Sequence, residues 1–127
     1  MEVSKPYDEK PTTHERWVEA LYRDLRETVK KLGISYVWKL DSLRALYGNA
    51  ILKARTCDAE GSLAAASGTM YYVLKLHEAL DEAKYIGKIT EDEYKKAEDQ
   101  LTDMHDHAII AIKQVLAEEC SCQWHKL

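Results

Sequence analysis

The sequence predicts an all-α protein, an up-and-down antiparallel four-helix bundle that forms a single domain. Three observations predict it. Apolar residues recur at spacings of three and four in four successive stretches, the signature of amphipathic helices. The only prolines are Pro6 and Pro11, so no proline ring interrupts the chain after Thr12. No segment alternates apolar and polar residues with the period of two that strands require. With 127 residues, 46% hydrophobic and 31% charged, the chain can bury a core of its own as one domain, 1–127.

A polar arm, residues 1–11, precedes the first helix, predicted over 13–32. Thr12 is its cap and Glu15, three positions later, completes a capping box. Val18, Leu21, Leu25, Thr28 and Leu32 form its stripe, and Gly33 with Lys30 and Lys31 marks its end. The second helix, 35–55, buries Val37, Leu40, Leu43, Tyr47, Ala50, Ile51 and Ala54, with Gly48 and Asn49 as its weak turn. "TCDAEGS" is the connection, with Asp58 or Ser62 as the next cap.

The third helix, 59–86, opens in "SLAAASG". Small side chains let backbones approach, so this run predicts a tight helix crossing rather than a linker. Gly87 ends that helix. In "KITEDEY" Thr90 caps, Glu93 completes a second box and Ile89 staples onto Tyr94. The fourth helix, 91–119, carries Tyr94, Ala97, Leu101, Met104, Ala108, Ala111 and Val115 on a coiled-coil-like seam. Ile109, Ile112 and Leu116 widen it. With Trp38, Tyr71 and Tyr72 off the main faces, the chain has more apolar surface than four helices need, which predicts self-association. Residues 120–127 are read as a tail.

No apolar run approaches the roughly 20 residues of a membrane span, and the opening residues lack the apolar core of a secretory signal. Three cysteines without framework spacing predict free thiols in a reducing compartment, hence the cytoplasm.

Three constellations bear on chemistry. In "CSCQWHKL" Cys120, Cys122 and His125 suggest a metal clasp. Zinc sites, however, pair cysteines as C-x2-C, and on a continued helix the two thiols diverge. The expectation is incidental thiols, with Trp124 packed back on the bundle. In "MHDH" His105 and His107 lie about 200° apart around a helix and cannot share one ion. His77 and Asp81 share a helix face, as a ligand or base pair would, yet no nucleophile or second carboxylate joins them. Glycine-rich phosphate loops and paired Glu-x-x-His motifs are missing. The chain is read as no enzyme, with no cofactor. The alternative is a small metal- or ligand-binding bundle using His77 and Asp81 or the cysteine-histidine tail.

Charge is uneven. Residues 1–55 hold 11 Lys and Arg against 8 Asp and Glu, a balance of +3; residues 56–127 hold 7 against 14, a balance of −7. All five arginines lie in the first half. Arg16, Arg23, Arg26 and Lys30 fall on one stripe of the first helix, and Arg44 broadens it from the second. That face predicts an acidic protein partner or weak, salt-sensitive contact with nucleic acid, diluted by Glu19, Asp24 and Glu27.

The stretch from "ARTCDAEGSLAAASG" through "YIGKITEDEY" to "DQLTDMHDHAIIAIK" resembles the central and C-terminal helices of Avd. Avd is the accessory variability protein of diversity-generating retroelements, and is related to the four-helix proteins of ribosomal-RNA intervening sequences. The likeness spans about half the chain. The resemblance implies a homopentameric barrel of four-helix protomers and, for Avd, binding of a reverse transcriptase and nucleic acid. The net charge of −4 departs from that family, which is strongly basic.

Overall fold

The computed structural model describes residues 12–124, and among them the architecture is four helices with no strand. They are α1 (Thr13–Val29), α2 (Ile34–Arg55), α3 (Ala59–Tyr85) and α4 (Glu91–Trp124), with one 3-10 turn over Lys30–Leu32. Connections this short leave successive helices antiparallel, and α4 packs against all three others while α1 and α3 take opposite corners. The all-α up-and-down bundle is the observed fold.

The caps fall where the sequence places them. Thr12 Oγ1 accepts from Glu15 N and Glu15 returns the bond to Thr12 N, while Thr90 and Glu93 repeat the exchange at α4. Asp58 caps α3 by accepting from Gly61 N at 2.8 Å. Ser62, the other candidate, is buried instead and donates to the Ala50 carbonyl of α2 at 2.9 Å. Gly33 (φ 123°) and Gly87 (φ 81°) turn the chain through the region that glycine alone adopts without strain.

Two boundaries differ from the sequence reading. The first helix tightens into a 3-10 turn over its last three residues, a common way to finish a helix before a sharp reversal. The fourth runs to Trp124 rather than Glu119, so residues 120–124 are helix, not tail. Nothing after Glu119 breaks the helical register, and Val115 and Cys120 are both fully shielded on the inner face.

Leu25, Leu40, Leu43, Leu76, Leu80, Leu101 and Met104 fill the core with two percent exposure or less. The "SLAAASG" run makes the predicted close crossing: a Cβ on Gly68 would stand 3.0 Å from Leu46 of α2. Ala50, Ala54, Ala65 and Ala66 are buried on the same two helices, and α2 and α3 are the most extensively packed pair. No helix among the described residues is long and apolar enough to cross a membrane.

Candidate functional site

The α1–α2 seam is built differently. These two helices touch sparingly and are joined largely by charge. Arg26 sets its guanidinium fork on Asp41, Nε to Oδ1 and Nη2 to Oδ2, both at 3.0 Å, and Tyr22 donates to Oδ1 at 2.7 Å. The Arg26 hydrogen bond holds the Asp41 carboxyl below its ordinary range, and burial and then Asp41 raise the Tyr22 hydroxyl. Arg44 Nε donates to Glu19 at 2.8 Å. Arg55 Nη2 donates to both Glu15 oxygens at 2.8 Å, in a pair only 11% and 12% exposed.

The predicted basic face is therefore narrower than its residue types imply. Arg26 and Arg44 are spent on α1–α2 ion pairs, and Lys30 meets Glu27 one turn away at 2.9 Å. Arg16 and Arg23 remain exposed, with no acidic partner among the described residues. They flank a groove of about 440 Å³ between α1 and α2, with Arg44, Tyr47, Gly48 and Ile51 on its α2 wall. Tyr47 is 4% exposed, and its hydroxyl is shielded without a hydrogen-bond partner. The Arg44 guanidinium stands 5.5 Å from its ring centre. Burial first and the Glu15 carboxylate second push the Tyr47 hydroxyl strongly upward, so it stays a proton donor.

The other candidates rearrange. His77 does not pair with Asp81. Its Nδ1 lies 2.6 Å from Glu98 Oε2 on α4, and Asp81 instead accepts from the Tyr94 hydroxyl at 2.5 Å. Shared position on α3 brought the two residues to one face, but α4 supplied nearer partners to each. The Asp81 hydrogen bond, with burial behind it, pushes Tyr94 up to about 12.

Cys120 is not a free thiol. It is disulfide-bonded to Cys57, with the two Cα atoms 5.5 Å apart. Cys57 turns the α2–α3 connection in a left-handed conformation (φ 62°), and the up-and-down topology returns the end of α4 to that same end. A clasp of Cys120, Cys122 and His125 loses its first thiolate to this bond. The Cys122 side chain and His125 lie outside the described residues, and among the described ones no three His, Cys, Asp or Glu side chains converge on a metal position.

One pairing carried no signal in the sequence. His14 of α1 and His107 of α4 meet at 2.8 Å between their Nδ1 atoms, and Trp17 stacks on His107 with ring centres 5.7 Å apart. His105 points elsewhere, as the two-residue spacing requires, and its Nε2 is buried without a partner among the described residues. Only the α1–α4 packing could bring residues 93 positions apart together.

No protein-family model, curated protein or solved structure matches the chain.

Proposed function

We propose that the protein is a non-catalytic helical scaffold that works as a homo-oligomer. The observation carrying this reading is large apolar side chains on the outer faces of the two most closely packed helices. Ile34, Trp38 and Leu52 are 65%, 65% and 54% exposed on α2, at positions i, i+4 and i+18 of one stripe. Leu63, Met70 and Leu74 do the same on α3 at i, i+7 and i+11. A lone bundle gains nothing from such stripes, whereas a second copy can cover them. The resemblance to Avd adds five copies as the expected count. Cytoplasmic location, inferred from free thiols, loses that support once two of the three cysteines pair.

Light scattering tests the reading. The expected mass is a multiple of 14.6 kDa that falls to a single chain in a Trp38→Glu, Leu74→Glu variant. A monomer mass for the unaltered protein at high concentration would overturn it. Near-stoichiometric zinc, iron or copper in protein purified without a His tag would favour the metal-binding bundle instead.

A second reading rests on Arg16 and Arg23, whose guanidinium groups have no acidic partner among the described residues. They favour an acidic partner or weak nucleic-acid contact on this face, lost by roughly 200 mM salt. An Arg16→Glu, Arg23→Glu variant removes it cleanly. Arg26 is a poor test position, because a glutamate there would face Asp41.

A further inference from the structure

We propose that the α1–α2 groove binds a small phosphate-bearing anion, held by Arg16 and Arg23 with the Tyr47 hydroxyl donating from the groove wall. The argument begins with what the groove leaves unused. Its two glutamates are committed: Glu19 to Arg44 and Glu15 to Arg55 and the Thr12 amide. Neither is bonded to the Tyr47 hydroxyl, which is buried and unpartnered. Buried hydroxyls are almost always hydrogen-bonded, so one shielded without a partner beneath a groove marks a place where an acceptor belongs once the wall over it gives.

Everything uncommitted here is a donor. Arg16 and Arg23 are two helical turns apart, about 10.5 Å along α1, and present guanidinium forks at the rim. Tyr47 contributes an O–H from below. Three arginines against two glutamates line the groove, so its local balance is positive although the chain carries −4. A ligand completing this set must bring several acceptor oxygens and negative charge. Phosphate offers both, and arginine forks match its geometry.

Gly48 supports the same assignment. Glycine is unfavourable inside a helix, yet a Cβ here would stand 3.0 Å from Arg44 Nη1. That atom is the far end of a flexible side chain, so the missing Cβ gives the guanidinium room to lie against the helix or swing off the groove wall. Ile51 adds apolar surface for the part of the ligand that carries the phosphate. The volume of about 440 Å³ falls within the range of small-molecule sites.

Isothermal titration at low salt tests the proposal with pyrophosphate and adenosine monophosphate, against adenosine and succinate as controls. The expected result is saturable binding of the two phosphate compounds, one per chain, with neither control binding. Tyr47→Phe should weaken it about tenfold, the worth of a hydrogen bond to a charged group. The thermal midpoint of the empty variant should match or exceed wild type, because the lost hydroxyl had no partner. Arg16→Ala with Arg23→Ala should abolish binding and leave the circular dichroism unchanged. Absence of binding by either phosphate compound in the millimolar range would overturn the proposal. So would equal binding of succinate, or binding undiminished in both variants. A fall in the thermal midpoint of empty Tyr47→Phe would also count against it, by showing that the hydroxyl serves the fold.

Discussion

Helix α2 is held on its two flanks by different physics. Toward α3 the contact is close, made by Gly68 against Leu46 and by one buried serine-to-carbonyl bond, Ser62 to Ala50, between helices rich in buried alanine. Toward α1 long charged side chains bridge a wider gap through Arg26–Asp41, Arg44–Glu19 and Arg55–Glu15. Close backbone approach needs small residues and leaves no volume. Ion pairs reach further and leave a groove. Keeping the two kinds of seam apart lets one flank of α2 close tightly while the other retains a groove.

The largest expected effect lies on the closed side. The Cys57–Cys120 bond spans 63 residues of chain and ties the α2–α3 connection to α4. Reduction should cost about 4 kcal/mol by the loop-entropy relation, seen as a lower denaturant midpoint in dithiothreitol. Equal midpoints with and without reductant would show that packing alone holds this end.

On the open side Arg55→Leu should cost about 3 kcal/mol, because it strands the largely buried Glu15 carboxylate. Arg55 thus tests whether the charged seam carries stability of its own. Thermal unfolding of Arg55→Leu beside Arg55→Leu, Glu15→Gln checks it, since neutralising the glutamate should recover part of the loss.

Gly68→Leu attacks the close seam directly. It should cost about 2 kcal/mol by forcing α2 and α3 apart, measured by urea unfolding. A negligible loss would mean that the seam has slack and that the comparison is overstated.

The smallest effect concerns pH. Arg26 keeps the folded Asp41 carboxyl below its unfolded range, so the pair stabilises the fold above about pH 4 and the contribution fades as pH falls through the lowered value. Both side chains are about a third exposed, which limits the worth to under about 1 kcal/mol. Asp41→Asn should therefore lower stability slightly at neutral pH and flatten its decline in acid. An unchanged acid profile would place the acid sensitivity elsewhere.

Local rules were legible in the residues. Two capping boxes, four apolar stripes and the small-residue run each depend on neighbours within a few positions, and each appears where the sequence predicts it. The arginine face was legible only in part, because residue type announces charge but not which acid will neutralise it. Tyr47 reads from its spacing as an ordinary core aromatic. Whether its hydroxyl finds a partner depends on how far α1 stands from α2, a distance that no single helix contains.

The sequence by itself determined the helices, their caps and their order, since backbone hydrogen bonding and 3.6-residue periodicity act over one or two turns. Tertiary structure decided the pairings: His77 with Glu98, Asp81 with Tyr94, His14 with His107 and Cys57 with Cys120. Each joins side chains from different elements, so each depends on the rotation and spacing of whole helices. Those are set by the summed packing of the core, to which any one residue contributes only a small share.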